Sequence, residues 1–375
     1  MRILFCSLPH FGHVLPLVPL ARACVDVGHE VTFATGGPLL GRLPVRSVQA
    51  YPERTLSDAE AEVKRRHPEL ADVAPEEKWR FGIELFADVE YETLLAGVEP
   101  IVAEERPDMV VYEVYSAAAG AAALSHGVLA VSVGVSPWAS FFELLHRTVM
   151  ERHEIEWPNA VLADLYLDTF PPSTWVHDAG ELRRHEALRP VAWSPGGSEV
   201  PAWLLAKRER ARVYVTLGTV VFGYTAAFDA ALSALDQHDV DVLVTVGPRG
   251  DPAAVLRRSQ RVRVERFVDQ AQVIPLMDAV VHHGGSGTAL VAMAAGLPQV
   301  VMPQGADQFD NAKLLTATGA ARAFLPGMAP DVLARHIAEA LTDKEMKASA
   351  VKLAEEIAAM PSPADVAKGF PALSR

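Results

Sequence analysis

Cysteine is nearly absent, with Cys6 and Cys24 the only two in 375 residues. Both fall in apolar stretches near the N-terminus, which excludes a disulfide framework or a cysteine-built metal site and reads as two buried, reduced thiols. Positive charge is short as well: 34 Lys and Arg stand against 47 Asp and Glu, a formal net charge of −13. Phosphate backbones are held by clustered Lys and Arg, so this balance excludes nucleic acid as a partner and disfavours a basic membrane-docking surface. No stretch approaches the ~20 apolar residues that span a bilayer. Met1 to Ser7 is a brief apolar run that meets Pro9 and Gly12 at once, unlike a signal peptide. The expectation is a cytoplasmic protein with no stable membrane association.

What is present is the composition of a packed enzyme, half hydrophobic and ordinary in charge. The length exceeds one ordinary domain and fits two of about 150–200 residues each. Ile3-Leu4-Phe5-Cys6 reads as a buried strand, followed by a loop from Leu8 to His13. A helix is predicted from about Val14 to Val27; its first turn tolerates Pro16 and Pro19, and Gly28 stops it. Val31 to Ala34 is the next strand, completing a unit whose right-handed crossover builds a parallel sheet. Strand Met109–Tyr112, helix Ala117–Ser125 and strand Leu129–Val133 repeat the pattern. Charged helices at Ala59–Arg66 and Glu76–Phe86 are expected to cap one side, and residues 137–180 read as helical and irregular.

Arg189 to Pro201 is a Pro/Gly/Ser segment without periodicity, an interdomain linker. Beyond it the alternation restarts with strand Val213–Leu217, helix Thr225–Leu235, strands Val242–Val246, Val262–Glu265 and Ala279–His282, helix Ser286–Ala295 and strand Gln299–Met302. The fold class is α/β, with two Rossmann-like parallel-sheet domains expected to face each other across a cleft.

The strongest local signal is Val280-Val281-His282-His283-Gly284-Gly285-Ser286-Gly287-Thr288. An apolar strand runs into glycines and a helix starts at once, an arrangement whose unpaired N–H groups and partial positive charge favour an anion. A tight turn without a ligand explains the glycines equally well. The third glycine of a dinucleotide fingerprint is missing, since Thr288-Ala289-Leu290 follows Gly287. A P-loop lysine is missing too, and adjacent histidines on a strand make a poor zinc pair. Further on, Asp307-Gln308 follows a strand end, where open α/β sheets bind ligands and where a carboxylate and an amide suit sugar hydroxyls.

Taken together, these motifs resemble the donor-site signature of family-1 glycosyltransferases of the GT-B fold, in particular the bacterial branch that decorates macrolides, enediynes and other natural products. The match includes Gly12-His13 with Pro16, Gly28 to Thr35, Pro107 to Val111, Val215 to Thr219, Arg266-Phe267-Val268 and the run from His282 to Ala312. The resemblance implies an acceptor-binding domain over 1–190, a linker over 191–205, a nucleotide-sugar domain over 206–360 and a tail, 361–375, crossing back to the first domain. It implies that Phe267 stacks on the donor base and the Val268 backbone pairs with its edge. Thr219, His282 and the amides of Gly285, Ser286, Gly287 and Thr288 are implied to hold the diphosphate, with His282 aligned to the family's phosphate contact, and Gly12, Gly218, His283 and Gly284 join the wider donor-binding set. Asp307 and Gln308 take the sugar hydroxyls. Asp269 departs from the family's proline, which puts the shape of that loop in question.

For catalysis the resemblance names His13 as general base and an inverting transfer. Glu113 stands where the family usually has an aspartate, and its extra methylene alters the reach. His10 is a candidate acceptor contact or substitute base. Trp138, Phe141 and Phe142 are candidates for an acceptor wall, with core packing the commoner role of such aromatics. Asp239-Val240-Asp241 spells the metal-binding motif of a different glycosyltransferase fold but precedes a buried strand, so no metal and no cofactor are expected. The partners expected are a small-molecule aglycone and a nucleotide-sugar. Leu290 stands where uridine-diphosphate users in the family commonly carry a ribose-binding glutamate, which points to a dTDP-deoxysugar. A homodimer, a non-catalytic partner protein and a sugar-nucleotide epimerase of the same fold all stay open.

Overall fold

The computed structural model describes residues 1–375 apart from 74–76, 176–181, 183, 194–198, 219–224, 248–249, 256–258, 306 and 374–375; the side chains of 140, 225 and 254 are also left aside. The chain divides into two compact units, Met1–Arg189 with Pro361–Arg375, and Pro190–Met360. No helix among the described residues is long and apolar enough to cross a membrane.

The first unit is built on seven parallel strands: β1 (Arg2–Cys6), β2 (Glu30–Thr35), β3 (Arg46–Gln49), β4 (Met109–Glu113), β5 (Leu129–Val133), β6 (Leu165–Asp168) and β7 (His185–Ala187), in the order β3-β2-β1-β4-β5-β6-β7. The central strands are covered on both faces, which is why β4 and β5 read as unbroken apolar runs rather than alternating ones. Helix Ala117–Ser125 lies close against them because it is nearly all Ala and Gly; a Cβ on Gly120 would stand 2.7 Å from the Tyr112 hydroxyl. The tail helix Pro363–Gly369 belongs to this unit, where the Ala367 carbonyl is 3.1 Å from His29 Nε2.

The second unit has six parallel strands, β8 (Ala211–Thr216), β9 (Val240–Thr245), β10 (Val262–Glu265), β11 (Ala279–His282), β12 (Gln299–Val301) and β13 (Ala321–Ala323), in the order β10-β9-β8-β11-β12-β13. In each sheet the strand order reverses once, between β1 and β4 and between β8 and β11. Ligands of open α/β sheets bind beyond the strand ends at such reversals. Register puts Cys6 beside Tyr112 and Thr216 beside His282, so the segments leaving these four strands converge pairwise.

Three departures from the sequence reading matter. The expected helix from Val14 is in three pieces, Phe11–Val14, a 3₁₀ turn Leu15–Leu17 and Val18–Asp26, with Pro16 and Pro19 each near the start of a new piece. His13 therefore sits on a helical turn, not in a loop. Helix Lys78–Glu84 does not end at Phe86 but passes through a π turn, Leu85–Val89, into a sixteen-residue helix, Glu90–Glu105. Strands β3, β6 and β7 have only three or four residues each, too few for a period to register.

Candidate active site

At the end of β1 the chain turns at His10 into the short helix that carries His13. Glu113 is the last residue of β4, the neighbouring strand, and is fully buried. His13 Nδ1 lies 3.2 Å from Glu113 Oε1. The carboxylate is fixed from two other directions: the Ser116 hydroxyl donates to Oε1 at 2.5 Å and the Tyr115 amide donates to Oε2 at 2.8 Å. Burial alone would raise the Glu113 pKa, but the charge of His13 and these hydrogen bonds outweigh it, and the group is held below its ordinary value. The longer glutamate thus reaches the histidine. With Nδ1 turned toward a carboxylate, the ring geometry directs Nε2 away from it.

Around this pair stands a group of aromatic rings. Tyr115 is 5.1 Å from His13 between ring centroids, Phe86 is 4.7 Å from Tyr115, and Phe141 is 6.2 Å from Tyr115. These three are partly exposed. The expected acceptor wall is corrected at two positions. Trp138 and Phe142 are buried, Trp138 packing edge-on against Tyr166 at 5.1 Å, because both belong to the core beneath β5 and β6. Phe141 is partly exposed, beside Phe86 and Tyr115. His10 is half-buried, its ring 5.6 Å from that of His13. Gly12, beside them, is exposed.

In the second unit, β11 ends at His282 and helix Ser286–Ala294 begins after Gly285. Gly284 adopts φ +95°, a left-handed conformation natural to glycine, with the Gln308 carbonyl 3.0 Å from where a Cβ would stand. The helix's first backbone hydrogen bond runs from Ala289 N–H to the Gly285 carbonyl, so the amides of the preceding turn point out of the helix end. Open space surrounds the Cβ position of Gly287.

The two adjacent histidines are held in different ways. His282 is fully buried; its Nε2 is 2.9 Å from the Gln299 carbonyl oxygen and its Nδ1 accepts the Gly284 amide at 3.1 Å. Both ring nitrogens are spent on the fold, and burial pushes its pKa down to about 3. His282 shapes the turn rather than facing a ligand. The His283 ring instead fills the space between two glycines: a Cβ on Gly218 would lie 2.6 Å from it and one on Gly285 2.4 Å. Burial lowers its pKa to about 4, against a backbone contact with Thr216 that supports the charged form. Strand alternation sends the two side chains to opposite faces.

Asn311, inside the run from His282 to Ala312, ties this site together. Its amide donates to the Gly284 carbonyl (2.8 Å), to Ser286 Oγ (3.1 Å) and to Asp307 Oδ2 (3.1 Å). Gln308 is buried and its carbonyl oxygen accepts the Gln304 and Gly305 amides, so that part of the expected sugar contact is engaged in the loop. Thr288 Oγ1 lies 3.3 Å from the Gln270 amide nitrogen, which also donates to the Tyr214 hydroxyl. Phe267 is half-buried and Val268 buried. The questioned Asp269 caps helix Gln270–Val273 by accepting the Ala271 amide at 3.0 Å. Thr219 lies outside the described residues. Asp239 pairs with Arg210 and Arg261, and Asp241 faces Arg263, so these two carboxylates are answered by guanidinium groups.

A family model described as "Erythromycin biosynthesis protein CIII-like, C-terminal domain" matches residues 229–373. The chain is 33% identical to an L-demethylnoviosyl transferase of Streptomyces niveus, over 100% of this chain and 99% of that protein. It is 31% identical to the elloramycin glycosyltransferase ElmGT of Streptomyces olivaceus, over 98% and 96%. Among solved structures, spinosyn rhamnosyltransferase SpnG complexed with spinosyn aglycone superposes with a TM-score of 0.82 at 25% identity, covering 99% of this chain and 100% of that one. SpnG has also been solved complexed with thymidine diphosphate.

Proposed function

The chain belongs to the GT-B-fold glycosyltransferases of antibiotic biosynthesis, and on that premise we propose that it transfers a deoxysugar from a thymidine-diphosphate donor to a hydroxyl of a lipophilic natural product, with inversion and with His13 as general base. The observation that carries this reading is the His13–Glu113 pair at the β1/β4 reversal. A carboxylate at Nδ1 holds the imidazole in the tautomer whose Nε2 accepts a proton, and it supports the imidazolium that results.

The acceptor oxygen then attacks the anomeric carbon from the face opposite the diphosphate, giving inversion. Its proton passes to His13 Nε2, the bond from the anomeric carbon to the phosphate oxygen breaks, and the electron pair leaves with the diphosphate. Oriented amides at Gly285 to Thr288, with His283, receive the departing charge in this reading, so no metal is assigned a role. Asp307, braced by Asn311, takes sugar hydroxyls. Phe86, Tyr115 and Phe141 supply the apolar surround for the aglycone.

For the nucleotide, the thymidine diphosphate bound by SpnG supports the same base here. Leu290 is buried on helix Ser286–Ala294 and has no group to accept a bond from a ribose 2′-hydroxyl. An unpaired hydroxyl there costs roughly 1–3 kcal/mol. Competition binding of the two free diphosphates tests this: thymidine diphosphate is expected to bind at least about tenfold more tightly, and a preference for uridine diphosphate overturns the donor assignment.

A further inference from the structure

Glu113 is held by a peptide unit that is itself held. In the turn leaving β4, the first two peptide planes each have both of their polar groups paired. In the first plane, the Val114 N–H donates to the Val133 carbonyl of β5 at 3.0 Å, and the Glu113 carbonyl accepts the Ser116 N–H at 2.8 Å. In the second, the Tyr115 N–H donates to Glu113 Oε2 at 2.8 Å, while the Val114 carbonyl lies 2.8 Å from His146 Nε2. A trans peptide is rigid, with its C=O and N–H opposed, so fixing the carbonyl end fixes the direction of the N–H. His146 is fully buried on helix Ser140–Arg152. The Leu162 N–H donates to its Nδ1 at 3.1 Å, so Nδ1 carries no proton and Nε2 is the donor toward Val114. Burial keeps the ring neutral, pushing its pKa down to about 4. Leu162 is anchored in turn, its carbonyl accepting the Tyr112 hydroxyl at 2.9 Å. Leucine or phenylalanine would fill comparable space here, but neither could donate to Val114.

We propose, on the reading that His13 is the base, that His146 is a positioning residue of the transfer reaction: its Nε2–H orients the Val114–Tyr115 peptide so that the Tyr115 N–H holds Glu113 against His13 Nδ1. Donation to the carbonyl also polarises the amide, which strengthens its N–H as a donor to the carboxylate. Without that donor the Val114 carbonyl is unpaired and the peptide plane can rotate about its flanking bonds. Glu113 then keeps only the Ser116 hydroxyl as a firm partner, and a hydroxyl can turn away. No bond to His146 forms or breaks during transfer. The same helix carries Phe141, so one element places both the catalytic carboxylate and a ring of the aromatic group.

The test is the ring-nitrogen NMR spectrum of histidine-labelled protein at about pH 8, where imidazoles are neutral; His13 is assigned by loss of its signals in His13→Gln, and neither donor nor acceptor is needed. In the parent, His13 should carry its proton on Nδ1. His146→Asn leaves an amide oxygen to accept the Leu162 N–H but is too short to reach Val114, so the His13 tautomer ratio favouring Nδ1–H should fall by about three- to tenfold. His146→Gln has the reach to donate to Val114 and should keep that ratio within about twofold of the parent. A merely structural histidine gives no such rescue. The kcat for transfer should follow the same order, with the KM for the nucleotide-sugar unchanged. An unmoved ratio in folded His146→Asn, or an equal fall in both variants, overturns the proposal and leaves His13 as base intact. If His146→Asn does not fold, the other two spectra decide: a proton on Nδ1 of His146 in the parent, or a shifted His13 ratio in His146→Gln, overturns it. Near-parental transfer by His13→Ala would instead remove the premise, whatever the spectra show.

Discussion

Replacing Glu113 by glutamine should cost far more than the loss of one charge, because the pocket dictates which way the amide turns. Glu113 Oε2 accepts from the Tyr115 backbone N–H, a donor that cannot rotate or reverse. Oε1 accepts from the Ser116 hydroxyl, which can reverse, and faces His13 Nδ1. Glutamine therefore keeps its oxygen toward Tyr115 and presents its NH₂ to Ser116 and His13. An NH₂ beside Nδ1 favours the tautomer with the proton on Nε2, and the base is then already occupied. The opposite amide orientation sets two donors against each other at Tyr115, costing about 1–3 kcal/mol. Weakening a charge-assisted hydrogen bond to a neutral one adds roughly 1 kcal/mol. The sum, about 2–4 kcal/mol, predicts a transfer rate about 30- to 1000-fold lower. Initial-rate assays at saturating donor measure it, with calorimetric binding of the free diphosphate as control for an intact second unit. Glu113→Asp, charged but shorter, should fall between the two. A rate within threefold of the parent for Glu113→Gln would refute the tautomer argument.

Two further outcomes follow from the same geometry. Asp307→Ala should weaken binding of the sugar donor well beyond that of bare diphosphate, by about 1–3 kcal/mol, since the hydroxyls it serves exist only on the sugar; equal losses in calorimetry would reduce Asp307 to a brace for Asn311. Burial holds His146, His282 and His283 at pKa values of about 4, 3 and 4. These lie below the unfolded value, so the unfolded chain binds more protons as pH falls through about 6.5. Stability should accordingly drop by up to about 1.4 kcal/mol per pH unit per histidine; denaturant titrations at pH 7.5 and 5.5 check this, and equal stabilities would contradict it.

Much of the site can be read from residue order because its parts are local. His13 follows a strand of the first sheet, the glycines follow a strand of the second, and each parallel sheet delivers its own segment to its carboxyl edge. What sequence order does not carry is direction. His282 and His283 are adjacent, and only the built strand says which side chain is consumed by the fold and which lies between Gly218 and Gly285. Trp138 and Phe142 have the composition of a binding wall but point into the core. Phe86 is hidden for a different reason: a π turn breaks the 3.6-residue period by which a helical face is recognised, so it falls on no predictable stripe. Asn311 joins Gly284, Ser286 and Asp307 over separations of 4 to 27 residues, a convergence visible only after folding.

The central claim is that the imidazole of His13 removes the acceptor proton while a separate surface holds the donor diphosphate. It is tested most directly by His13→Ala, with sugar transfer and thymidine-diphosphate binding measured on the same purified protein. The account predicts transfer reduced at least about a thousandfold with nucleotide affinity within about threefold of the parent; transfer at a near-parental rate would contradict it.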